Sequence, residues 1–237
     1  MNLTLLQCHP QAEALAAWAT REGSVSPDGD YGYALHLLLT AAFGDDAPKT
    51  FRFLRSGGGL LGYTQASVDK LMSHVSLATP DVHRILNLST LAARNFPCTW
   101  RSGQRLSFEV RVRPIVRGKS GERDAFLQAI EQRSEGTTSV VQREEIYRHW
   151  LTTQLQMNGA STAPVIRMKA FQFRRVVRRS HETKGRARSL SVFSGPDALM
   201  AGVLEVGDGA AFSAMLARGV GRHRAFGFGM LMLRPAD

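Results

Sequence analysis

The sequence predicts an α+β fold, and two observations carry that reading. Leu106, Phe108, Val110 and Val112 alternate with Ser107, Glu109, Arg111 and Arg113, the pattern of a strand with one buried face and one basic face. In the first half, elements follow in the order strand, helix, strand, strand, helix, strand, which fits the ferredoxin-like pattern.

Taken in order, residues 3–7 read as a first strand and 10–21 as an Ala-rich helix. Asp28, Gly29 and Asp30 form a turn. Residues 33–43 then have helical spacing, with Leu35, Leu38, Leu39 and Ala42 on one face. Residues 49–55 alternate, and Gly57, Gly58 and Gly59 turn into 60–63, which predicts a hairpin. A second helix is expected at 67–75 and the closing strand at 106–112. The first unit thus covers 1–116. Residues 117–142 are polar and read as a connector with one helix around 124–133. The second unit, 143–237, begins with a helix at 143–156 and continues with strands at 165–177, 190–193 and 200–206. A helix at 210–218, started by Gly207 and Asp208, leads to a last strand at 230–233.

The chain has 237 residues, 43% hydrophobic and 21% charged, ordinary values for a globular protein. Its net charge is +10 and its pI about 10.4, a surplus that favours a polyanionic partner. Residues 1–120 hold 13 basic and 9 acidic side chains and the remainder 17 and 11, so the excess is not a detachable tail. Cys8 and Cys98 lack metal-ligand spacing, and no zinc site or other cofactor is expected. No signal peptide and no membrane span is read, which predicts a cytoplasmic protein with no membrane partner.

Gly219, Gly221, Gly227 and Gly229 surround Arg222, His223 and Arg224 within eleven residues. Glycine lets a main chain pass close to a partner and take φ > 0, and arginine suits phosphate. This stretch, GVGRHRAFGFGMLML, resembles the glycine-rich loop of the RAMP superfamily of CRISPR-associated proteins, in the form found in CasE-type endoribonucleases. The stretch from Tyr31 to Leu38 is similar to that family's first helix, which carries a tyrosine and a histidine three residues apart. The stretch from Phe108 to Pro114 resembles its "RxRANPT"-like strand, with Arg-Pro-Ile here where Asn-Pro-Thr is usual. The resemblance implies two tandem ferredoxin-like domains. It also implies endonucleolytic cutting of CRISPR repeat RNA and retention among the other subunits of a Cascade-type complex.

Three segments could carry that chemistry. Tyr33 and His36 share a helix face, and histidine suits either acid or base work because its ordinary pKa lies near neutrality. The alternatives are that His36 packs at a helix edge and that Tyr31 replaces Tyr33. The second segment is a basic hairpin, 167–188, which includes Arg174, Arg175, Arg178, Arg179, Arg186 and Arg188. Its interleaved Phe171, Phe173, Val176 and Val177 anchor one face and leave arginines for RNA phosphates. The resemblance assigns this hairpin to the repeat stem-loop. The third is the glycine-rich loop, where His223 is an alternative acid or base and Arg222 or Arg224 could serve an arginine-based site, as in some type IV systems. Arg111, Arg113, Arg117 and Lys119 are weaker phosphate candidates. Carboxylates paired for metal binding are absent from these segments, in line with a metal-independent cut. Two rival functions remain open at this point: a RAMP subunit that binds guide RNA without cutting it, and an unrelated basic RNA-binding protein of ferredoxin-like fold.

Overall fold

The computed structural model describes residues 2–54, 57–118, 121–132, 142–179 and 190–236. The chain divides into two compact units. The first gathers the described residues of 1–96, 174–194 and 225–227, and the second those of 97–173, 195–224 and 228–237.

The first unit comprises β1 (Thr4–Cys8), α1 (Ala12–Arg21), α2 (Gly32–Phe43), β2 (Thr50–Leu54), β3 (Gly59–Thr64), α3 (Val68–Leu77), α4 (Pro80–Leu86) and β4 (Ala92–Asn95). Its sheet runs β2-β3-β1-β4, and each neighbouring pair is antiparallel. Thr4 stands opposite Thr64 and Cys8 opposite Leu60, so Leu6, Cys8 and Leu60 share the face that the helices cover. Leu35, Leu38, Leu39 and Ala42 of α2 are buried as their spacing predicts, and pack with Leu15, Phe43, Phe51, Leu71 and Ile85. The Ser67 side chain accepts from the Lys70 N–H, a local cap that starts α3.

The second unit contains β5 (Arg105–Val112), β6 (Ile115–Gly118), β7 (Gly121–Asp124), α5 (Ala125–Glu131), α6 (Arg143–Gln156), most of β8 (Ser161–Arg179) and of β9 (Leu190–Val206), α7 (Gly209–Arg218) and β10 (Met232–Pro235), while residues 174–179 of β8 and 190–194 of β9 belong to the first. Its four-stranded sheet runs β10-β5-β9-β8, and among the described residues β6 pairs with β7 alone. Numbered within their own sheets, both four-stranded sheets follow the order 4-1-3-2 of the ferredoxin-like βαββαβ pattern. Leu106, Phe108, Val110 and Val112 are buried. Val110 faces Met200 and Val112 faces Ala198 across the ladder. Asp208 caps α7, its Oδ1 accepting from Ala211 N at 2.7 Å.

One expected boundary is corrected. The alternating strand 105–112 does not close the first unit at 116. It is the first strand of the second sheet, and the division falls between Phe96 and Pro97. The strand that closes the first sheet is β4, only four residues long and largely exposed, so its sequence carries no alternation to read. The expected connector also differs: it contains the β6–β7 hairpin and α5. The strands expected at 190–193 and 200–206 are one strand, β9. Arg113, read as outward, is buried at 2% exposure; a side chain at Gly195 would run into its guanidinium, so glycine there makes the room.

Candidate functional site

In the first unit, three stretches distant in sequence meet at the start of α2. The buried face of that helix leaves Tyr33, His36, Leu37 and Thr40 on the opposite stripe, half-buried or exposed. The Tyr33 and His36 rings lie 6.4 Å apart between centroids. Phe226, from the glycine-rich loop, packs its ring 5.8 Å from that of Tyr33. Gly32 shows how closely these stretches meet. A Cβ placed on it would strike the main-chain carbonyl of Phe226 and lie 2.8 Å from Asp30 Oδ1. Only glycine lets the loop's main chain rest against the first turn of the helix.

Two acids hold the third stretch. Asp30 is buried. Its Oδ1 accepts from Gly32 N at 2.8 Å and its Oδ2 from Arg174 Nη1 at 3.1 Å. One carboxylate thus serves both the orphan N–H of a helix start and a guanidinium from β8. Asp28 Oδ1 accepts from Nε and Nη2 of Arg175 at 3.0 and 2.7 Å, and its Oδ2 from the Arg175 main-chain N–H at 2.6 Å. The side-chain hydrogen bonds from Arg175, followed by its main-chain N–H, hold the Asp28 carboxyl below the usual range.

The second unit holds the other half of the glycine-rich loop. Gly219, Gly221, Gly227 and Gly229 all take positive φ, and so does His223 at 57°. Glu122 of β7 grips two loop side chains: Oε1 accepts from Arg222 Nε and Oε2 meets His223 Nε2, each at 2.6 Å. Burial lowers the pKa of His223 and outweighs the opposing pull of Glu122. Burial alone would raise that of Glu122, but the hydrogen bonds from His223 and Arg222 bring it below its ordinary value. Arg224 donates to the Arg218 carbonyl at 3.0 Å. Arg111 is held by Asp197 through Nε and Nη2 at 2.8 and 2.7 Å.

The sequence-predicted residues therefore separate into groups. Tyr33, His36, Arg174 and Arg175 belong to the first unit with Phe226, while Arg222, His223 and Arg224 belong to the second with Glu122. Arg178 and Arg179 end β8; Arg186 and Arg188 lie outside the described residues. Phe173, expected as an anchor, is exposed, whereas Val176 and Val177 are buried. Sequence reasoning missed Phe226, Glu122 and the grip of Asp28 and Asp30. The available signal for the last two was an acid on each side of Gly29 just ahead of a helix, in a chain rich in arginine. Among the described residues, no group of three or more His, Cys, Asp or Glu could hold a metal ion, and no helix is long and apolar enough to cross a membrane.

The fold has solved counterparts. Thermus thermophilus Cse3, bound to an RNA representing a pre-cleavage complex, matches with a TM-score of 0.60 and 20% identity over 99% of this chain and 98% of that one. The CRISPR-associated protein Cas6e from Escherichia coli K-12 matches at 0.53 and 15% over the whole of both chains. A chain of a CRISPR RNA-guided surveillance complex matches at 0.52 and 18%, again over both chains in full. At these identities the likeness is one of fold. No curated protein sequence matches the chain. The family model described as "CRISPR associated protein" spans residues 3–235. On that match, across nearly its whole length, the chain belongs to the CRISPR-associated protein family.

Proposed function

We propose that this protein is a CRISPR repeat endoribonuclease. It binds the repeat stem-loop of a precursor CRISPR RNA and cuts once at the 3′ base of the stem. It then stays on the product as a subunit of an RNA-guided surveillance complex. The observation that carries the reading is the start of α2, where Tyr33 and His36 share one stripe and Phe226 of the glycine-rich loop packs on Tyr33. Family membership and the fold shared with Cse3 and Cas6e support it.

The cut is an internal transphosphorylation. The 2′-hydroxyl oxygen attacks the adjacent phosphorus and loses its proton to a base. The bond from phosphorus to the 5′-oxygen breaks, and that oxygen takes a proton from an acid. The products are a 2′,3′-cyclic phosphate, which can open to a 3′-phosphate, and a 5′-hydroxyl. His36 supplies the acid or base function, worth about 10²–10⁴-fold. Tyr33 orients the nucleophile or donates to the scissile phosphate. Arginines balance the charge that develops on phosphorus, so no metal ion is called for. Arg175, exposed on one side, and Arg178, Arg179, Arg186 and Arg188 meet the phosphates of the stem, while Arg222, His223 and Arg224 meet RNA from the glycine-rich loop. The test is incubation with the end-labelled cognate repeat hairpin. A single discrete cleavage supports the reading; retention of intact RNA leaves only a guide-binding subunit.

A further inference from the structure

We propose that Glu122 is a carboxylate latch on the glycine-rich loop, displaced by an RNA backbone phosphate and then parked on Arg117. The inference rests on the RNA-binding reading above and adds a competitor built into the chain.

Both oxygens of Glu122 are engaged, each by a different loop side chain at 2.6 Å. A carboxylate bound this way occupies the loop as one edge of a phosphate would, since both present paired anionic oxygens, here to the Arg222 guanidinium and the His223 ring. The exposure of the pair marks it as exchangeable. Asp197 and Asp124 hold Arg111 and Arg143 with side chains only 5% and 3% exposed, and those pairs are beyond the reach of an incoming anion. The Glu122 side chain is 28% exposed and that of Arg222 48%, which opens the latch from the Arg222 side, with His223 at 12%. Exposed ion pairs are weak, and a backbone phosphate presents the same donors with a single negative charge on two oxygens, backed by the field of the neighbouring phosphates on the strand.

The hairpin that carries Glu122 supplies the released position. Among the described residues β6 and β7 pair only with each other, four residues to a strand, so no third strand covers either edge. Arg117, exposed, stands directly across that ladder from Glu122. Cβ atoms so placed in an antiparallel pair are about 4.5–5.5 Å apart. Rotation of the Glu122 side chain therefore exchanges Arg222 and His223 for Arg117 without leaving the carboxylate unpaired. Arg222 and His223 are freed together, because one carboxylate holds both.

The test is the affinity of the full chain for a fluorescent RNA stem-loop of the cognate repeat, measured by anisotropy. The variants are Glu122→Gln, Arg117→Gln and their combination, with Glu145→Gln as a control for loss of any one exposed acid on this unit and thermal melts to confirm folding. Glu122→Gln should tighten binding about two- to fivefold, and Glu145→Gln should tighten it less. Arg117→Gln should weaken binding in the native background and have little effect beside Glu122→Gln, since its role runs through the carboxylate. If the native chain binds and Glu122→Gln leaves affinity unchanged or weaker, the latch is wrong and the RNA-binding reading stands. Equal tightening by Glu145→Gln, or an equal loss from Arg117→Gln in both backgrounds, also overturns it. If neither the native chain nor Glu122→Gln binds the stem-loop, both readings fall together.

Discussion

Replacing Gly32 by alanine sets two effects of known sign against each other. In an ordinary helix the change is favourable, by up to about 1 kcal/mol. Here the added Cβ meets main chain on one side, with the Phe226 carbonyl carbon 2.9 Å away, and Asp30 Oδ1 at 2.8 Å on the other. Neither neighbour is a loose side-chain end, for Asp30 is buried and already holds Gly32 N and Arg174. Overpacking of this kind costs about 1–3 kcal/mol, so the clash wins by about 1 kcal/mol. For a chain of this size that lowers the Tm by about 2–4 °C. The larger effect should be on chemistry. Relief of the clash shifts the Phe226 segment from the Tyr33 stripe, and a displacement of about 1 Å at a reacting centre costs about 10²-fold in rate. The assay is single-turnover cleavage of the repeat hairpin beside a thermal melt and a binding curve. We expect a modest fall in Tm, a large fall in rate and little change in affinity. A raised Tm with native cleavage would show that the loop does not rest on this helix.

Three further outcomes follow from the same geometry. Asp30→Ala removes one partner of the largely buried Arg174 side chain and an acceptor for a helix-start N–H, and should destabilise the fold by about 1–3 kcal/mol in denaturant titration; Asp30→Asn, which keeps the acceptor, should cost less. In the native state thiol reagents should label Cys98, which is exposed, and spare Cys8, which is buried with its pKa pushed up to about 12; denaturant should make both react. Glu122 and His223 both have depressed pKa values, so the unfolded chain binds more protons at each. Their contribution is therefore intact above the ordinary histidine range and is lost as pH falls, first through the histidine range and then through the carboxylate range. A melt series against pH should show a shallower acid limb for the Glu122→Gln, His223→Ala double variant than for the native chain.

What the sequence revealed follows from where each signal resides. The buried stripe of α2, the cap at Asp208 and the alternation of β5 are local patterns, and they were legible. The partners of β5 were not, because alternation tells which face is buried and not which sheet does the burying. β4 was silent for the opposite reason: four largely exposed residues carry no pattern at all. At the site, the spacing of Tyr33 and His36 placed them on one stripe, and the glycines of the terminal loop announced positive φ. Phe226 escaped notice because its role comes from a carbonyl resting on Gly32, a contact between residues almost two hundred positions apart. The arginines were read as free for RNA, but Arg174 and Arg175 are held by Asp30 and Asp28, and Arg222 by Glu122. Composition counts charges and cannot say which of them already face each other.

The most direct test of the account is cleavage of the cognate repeat by the native chain and by His36→Ala, in excess EDTA, with the 3′ ends identified. The account predicts one cut by the native chain ending in a 2′,3′-cyclic or 3′-phosphate, a rate at least about 10²-fold lower for His36→Ala, and nearly equal affinity for both. Undiminished cleavage by His36→Ala, or a native reaction that stops when metal is removed, would contradict it.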